Sequence, residues 1–161
     1  MLELYRYDWS EFEDTDLSAF GEYGYDDLDD YWNESKRHPF IVRVDGKLAG
    51  FVFVNRITCV ESSEYSMAEF FILRKYRRKG IGRQVALDVI GRFPGAWEVK
   101  TQRVNEAAII FWRKVLQEAS LLDLEEITDG VGDWDGPLWT FTNKRKEGGA
   151  LNTGSGNPGH P

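Results

Sequence analysis

The chain is poor in cysteine, with a single thiol, Cys59, in 161 residues. An internal disulfide is therefore excluded, and a reducing, cytoplasmic setting is expected. Long apolar runs are also missing. No stretch approaches the roughly 20 apolar residues of a membrane span, and the opening MLELYRYDW lacks the apolar run of a signal peptide. Positive charge is the minority sign: 20 Lys and Arg stand against 27 Asp and Glu, a formal net charge of −7. General nucleic-acid binding needs a broad basic surface, so neither nucleic acid nor membrane is an expected partner. No internal repeat is visible.

Apolar and aromatic residues are plentiful. Hydrophobic residues make up 42% of the chain, with ten Phe, seven Tyr and six Trp, enough to fill the core of one domain. That domain is expected over residues 1–146. The remainder, 147–161, is dominated by Gly, Asn, Ser and Pro without periodicity and is expected to be disordered.

The chain is organised around EFFILRKYRRKGIGRQVALDVIGRF, Glu69 to Phe93. Ala68 to Leu73 reads as an apolar strand. Arg74, Lys75, Arg77, Arg78, Lys79 and Arg83 follow, with Gly80 and Gly82 among them. Val85, Ala86, Val89, Ile90 and Phe93 then recur at helical spacing. Strand, basic glycine loop and helix in that order make a phosphate cradle. The helix start offers unpaired N–H groups and partial positive charge, and glycine lets the backbone come close. A Walker loop is excluded because no Gly-x-x-x-x-Gly-Lys-Ser/Thr run exists. A dinucleotide fingerprint is excluded because position 85 is Val where the third glycine belongs.

The remaining pattern, Arg77-x-x-Gly80-x-Gly82 between strand and helix, resembles the acetyl-CoA loop of the GNAT superfamily of N-acetyltransferases. A second element supports it: Trp97–Thr101 reads as a strand, followed by Asn105-x-x-Ala108-x-x-Phe111-Trp112, similar to the family's fifth strand and next helix. The resemblance covers roughly 41–143. It implies an α+β fold, a central mixed, mostly antiparallel sheet of six to seven strands flanked by about four helices. It also implies acetyl-CoA as co-substrate, without a metal. By resemblance, the backbone of Phe71, Ile72 and Leu73 bonds the pantetheine amides. Arg77, Arg78, Lys79, Gly80, Ile81, Gly82 and Arg83 hold the pyrophosphate, and Asn105, Ala108 and Phe111 border the arm.

The rest of the chain reads around this centre. Met1–Tyr7 is expected as a first strand, and 14–21 and 26–35 as short helices. Residues 1–36 carry twelve carboxylates and two basic side chains, Arg6 and Lys36, interleaved with aromatics. This segment reads either as a solvated acidic face over an aromatic underside or as a wall attracting a cationic substrate, with Tyr25, Tyr31 and Trp32 as substrate contacts. Phe40–Val44, Asp45-Gly46 and Lys47–Val54 form a hairpin signal, and Arg56–Val60 is a third extended run. Asn105 suits a helix N-cap. Leu121–Ile127 and Leu138–Asn143 read as the last strands.

Acetyl transfer to an amine needs a base, because an alkylammonium has a pKa of about 10.4. Glu69 interrupts an apolar strand on the face of Phe71 and Leu73, where burial raises a carboxyl pKa; it is the candidate base. A strand glutamate making only a structural hydrogen bond is the competing reading, and Glu98 is a weaker alternative. Trp112 stands where many family members place a tyrosine acid. Indole cannot deliver a proton. The acid is then dispensable, supplied by Tyr25, Tyr31 or Tyr65, or absent from a non-catalytic protein. The expected function is N-acetylation of a primary amine on a cationic small molecule. An acyl-CoA-binding sensor and a protein lysine or N-terminal acetyltransferase are the alternatives, and a homodimer is left open.

Overall fold

The computed structural model describes residues 1–144; the tail expected at 147–161 lies outside the described residues. Six strands form one mixed sheet in the order β1-β2-β3-β4-β6-β5. β1 (His38–Val44) and β2 (Lys47–Asn55) make the expected hairpin. Its turn residues, Asp45 and Gly46, both take positive φ, +49° and +76°, the geometry that matches the twist of a two-residue hairpin. β3 (Tyr65–Ile72) runs antiparallel to β2. β4 (Gly95–Lys100) lies parallel to β3, β6 (Leu138–Asn143) antiparallel to β4, and β5 (Leu122–Ile127) closes the edge.

Two helices cover one face of the sheet. α3 (Ile81–Arg92) buries Ala86, Val89 and Ile90, and α4 (Glu106–Glu118) buries Trp112, Val115 and Leu116. They pack with Val52, Val54, Met67, Ile72, Trp97 and Val99 in the main core. The opposite face carries a smaller, aromatic core of Tyr31, Phe51, Phe53 and Phe71, packed by Leu2, Tyr5, Tyr25 and Leu28 from the N-terminal segment. Side chains alternate between the two cores from Phe51 to Val54 on β2 and from Glu69 to Ile72 on β3.

The N-terminal segment differs from expectation. Residues at its start form a helix, α1 (Leu2–Trp9), not a strand. Leu2 and Tyr5 stand one turn apart and dock together on the aromatic core, which outweighs the weak alternation of Leu2 and Leu4. Residues 14–21 form turns and not a helix; Leu17 and Phe20 stay 52% and 91% exposed, so a helix there would bury nothing to stabilise it. Of the helix expected over 26–35 only α2 (Asp30–Asn33) forms, because Asp27 takes φ +59° and breaks the register before it. The run Arg56–Val60 is a loop, not a strand. It is held by buried Glu98, whose carboxylate accepts the N–H groups of Cys59, at 3.0 and 2.9 Å, and of Val60, at 3.0 Å.

Candidate active site

β3 and β4 are paired only at Tyr65–Trp97, Ser66–Glu98 and Met67–Val99. Beyond that point β3 continues to Ile72 with no paired strand on that side among the described residues, and the sheet parts. The phase of the β2–β3 ladder decides which amides face the gap. Leu73 N–H donates to the Ala49 carbonyl at 2.8 Å. Two residues back, Phe71 opposite Phe51 has the same orientation, so Phe71 and Leu73 spend their N–H groups on β2. Phe70 and Ile72, the non-hydrogen-bonded positions, turn theirs into the gap. Of the three residues expected by resemblance to bond a pantetheine arm, Ile72 therefore turns its N–H into the gap, while Phe71 and Leu73 turn theirs to β2. The Ile72 carbonyl accepts the Arg77 Nε–H at 2.7 Å, which fits its pointing away from β2.

At the mouth of the gap the chain turns through Arg74–Tyr76 into α3. Gly80 is the N-cap of α3, at φ +77°, and no side chain caps the helix start. A side chain with a Cβ is strained at that φ, and Arg78 beside it also has positive φ, +58°. Gly82 serves a different purpose: a Cβ there would stand 3.3 Å from the Phe111 ring, so its absence lets α3 approach α4 closely. The first turn of α3 thus presents bare N–H groups and no acidic side chain, and exposed Arg78 and Lys79 stand just before it. That arrangement fits a diphosphate. Three other cations are engaged: Arg74 and Arg77 both bond Asp8 of α1, the former at 2.7 Å, and Arg83 bonds Glu118 of α4 at 3.0 Å. Among the described residues, Arg78 and Lys79 form no ion pair. On α4, the Asn105 side-chain oxygen accepts Ala108 N–H at 3.0 Å, the expected cap, while Phe111 packs near Phe70.

Glu69 sits on the aromatic face of β3, opposite Phe53 on β2. Two phenols bond it: Tyr5 O–H donates to Oε2, and Tyr25 O–H donates to Oε1 at 2.8 Å. Burial pushes the Glu69 carboxyl pKa up, against the pull of the two phenol hydrogen bonds and of Arg6. Burial and the Glu69 charge together push both phenols up, so they remain protonated donors. The N-terminal segment makes contacts on both sides of the gap: Asp8 of α1 bonds the arginines after β3, and Glu13, in the turn after α1, accepts Gln102 Nε2–H at 3.0 Å after β4.

The structure gathers some expected site residues and separates others. Tyr25 meets Glu69. Tyr31 is buried, stacked on Phe53 at 4.2 Å, and its oxygen accepts Asn55 Nδ2–H at 3.2 Å. Trp32 is 60% exposed, edge-on to Phe53. Trp112 lies in the main core against Phe70 and Phe111, on the sheet face opposite Glu69. Tyr65 bonds Arg56 at the closed end of the β3–β4 pairing. Tyr5, Asp8 and the Phe70 amide were not singled out by sequence. Leu2, Tyr5 and Trp9 at helical spacing are the signal that places Tyr5 on the inward face of a helix.

The sheet parts between its two parallel strands, and a helix N-terminus without a side-chain cap stands at the opening. The Acetyltransferase (GNAT) family profile matches residues 1–116. The chain belongs to that family, and is an acyltransferase of its class. No curated protein matches it in sequence. Among solved structures it is similar to an acetyltransferase from Thermus thermophilus, with 15% identity, TM-score 0.55, and coverage of 73% of this chain and 70% of the other. It is also similar to a protein assigned to the GNAT family from Bacteroides thetaiotaomicron, with 14% identity, TM-score 0.50 and coverage of 89% and 82%. A spermidine N-acetyltransferase variant from Vibrio cholerae aligns at 13% identity, TM-score 0.49 and coverage of 84% and 85%.

Proposed function

We propose that the protein transfers the acetyl group of acetyl-CoA to the primary amine of a cationic small molecule. The single observation that carries this reading is the opening between β3 and β4, with Glu69 on one side and the uncapped start of α3 at its mouth. Bound acetyl-CoA would supply an acetyl thioester. Backbone N–H groups of residues 78–83 would hold its diphosphate, with Arg78 and Lys79 adding charge. Phe70 and Ile72 amides would line the arm and stand ready to donate to the thioester oxygen, where negative charge develops.

Glu69 is the proposed base. It takes a proton from the ammonium of the acceptor, leaving the neutral nitrogen free to attack the carbonyl carbon. A thiol has a pKa of about 8.5 and departs as thiolate without a strong acid, so Trp112 needs no chemical role. The burial of Trp112 in the helix core accounts for its presence and gives no reason to read the site as inert.

The acceptor is read from the N-terminal segment. Its carboxylates attract cations toward the opening. Glu69 is bonded by both Tyr5 and Tyr25 of that segment, a crowding that suits a slender alkylamine better than a folded protein surface.

The test is a panel of polyamines, amino sugars, amino-acid derivatives and lysine peptides with acetyl-CoA, following release of free thiol. Turnover is expected with a small polycationic amine. Transfer confined to peptides would overturn the acceptor assignment, and no transfer to any amine would overturn the reaction.

A further inference from the structure

Glu69 does not stand alone in its aromatic pocket. Each of its oxygens already accepts a phenol O–H, Oε2 from Tyr5 on α1 and Oε1 from Tyr25 on the loop before α2. The two phenols come from a segment that the coenzyme loop does not include, some 44 and 64 residues away in sequence. From the structure we infer that Tyr5 and Tyr25 are positioning residues, a phenol clamp that holds the Glu69 carboxylate ionised and aimed as the proton acceptor. This rests on the reading of Glu69 as base.

The chemistry follows from geometry. A carboxylate among Phe51, Phe53 and Phe71 is desolvated and would take up a proton. It would then be neutral and useless as a base. A phenol O–H pointed at each oxygen favours the charged form, because such bonds strengthen with the acceptor's charge. Each oxygen keeps a second lone pair free, so one can still receive the substrate's proton. The phenols cannot compete for that proton, since burial and the neighbouring carboxylate keep both protonated. They remain donors at neutral pH.

Other charges bear on the same group. Arg6 on α1 favours the ionised form, and Glu13 in the following turn opposes it. These two lie 3.6 Å apart and act in opposite directions, each more weakly than either phenol hydrogen bond. Tyr31 of α2 also faces this cluster, but its oxygen is engaged with Asn55. Tyr5 doubles as a packing residue, edge-on to Phe51 and Phe71 at 5.5 and 5.7 Å, so its ring is fixed by the core. Tyr25, less enclosed, is edge-on to Phe53 at 6.1 Å.

The experiment uses the full chain and two readouts. The first is the titration of the Glu69 side-chain carboxyl, followed by carbon-13 NMR without substrates in the native protein, Tyr5→Phe, Tyr25→Phe and the double variant. A hydrogen bond to a charged group has an effect of the order of one pH unit, so each variant is expected to raise the Glu69 pKa by about that much. The double variant should raise it further. The second readout is the acid limb of kcat/KM against pH, which should move upward with the NMR titration. Phenylalanine keeps the ring packing, and Tyr25→Phe keeps the test alive if Tyr5→Phe folds poorly.

Glu69→Gln separates the two claims. If it leaves turnover and the acid limb intact, the base assignment fails, while the NMR titrations still judge the clamp. If Glu69→Gln abolishes the limb but the Glu69 pKa is unmoved in both phenylalanine variants, the clamp is overturned and the base assignment stands.

Discussion

The two faces of the sheet are built on different terms. On one, α3 and α4 lay apolar stripes over Val52, Ile72 and Val99, and the core between them is apolar. On the other, the N-terminal segment lays aromatic side chains with polar ends over Phe51, Phe53 and Phe71, and those ends meet at Glu69. Neighbouring residues of β3 fall on opposite sides of this division: Phe70 packs against Trp112, while Glu69 accepts phenols. The difference teaches that one face supplies rigidity and the bare start of α3, and the other supplies a titratable group. A carboxylate is tolerated on the second face because tyrosines can be both ring and donor.

Trp112→Phe tests that division most strongly. It removes buried ring area from the helix core and should lower unfolding free energy by about 1–3 kcal/mol, read by chemical denaturation. Turnover per folded molecule should not change. A fall in kcat beyond the folded fraction would mean that the two faces are not separable and that Trp112 takes part in the chemistry. A smaller effect is expected at Asn105→Ala. Loss of the α4 cap should reduce stability by about 1 kcal/mol, seen as a lower denaturation midpoint, with the pH profile untouched. A shifted profile would show that the start of α4 communicates with Glu69 through the gap.

Much of the first face was legible in the sequence. Helical spacing from Val85 to Ile90 and from Ala108 to Leu116 marks the two stripes, Asp45-Gly46 marks the hairpin, and Asn105 marks the cap. Family membership was carried by Arg77-x-x-Gly80-x-Gly82 with its flanking elements. The second face was harder. Leu2 and Leu4 suggest a strand when read by twos, whereas Leu2, Tyr5 and Trp9 give a helix when read by turns, and so short a segment is too little to decide. Residues 14–21 have no apolar face to bury, and the positive φ of Asp27 stops the 26–35 pattern from running as one helix.

The amides that face the gap were not legible either, for a general reason. Side-chain alternation along β3 can be read from the sequence, and it placed Glu69 with Phe71. Backbone hydrogen-bond phase depends on the partner strand's register, and here the β2–β3 register shifts between Phe53 and Val54. The bonding of Glu98 to Cys59 and Val60 was hidden in the same way, because those contacts span 39 and 38 residues. A strand carboxylate looks the same in sequence whether it anchors a loop or faces a site.

The central claim is that the opening beyond Met67 and Val99, with the bare start of α3, is where a coenzyme's diphosphate and arm lodge. Titrating the nitrogen-15-labelled protein with coenzyme A tests it directly. The largest amide shifts should fall at residues 78–83, with a second set at Phe70 and Ile72, and Gly80→Asp should abolish both. Saturable binding with its shifts elsewhere, or binding that Gly80→Asp leaves intact, would contradict the account.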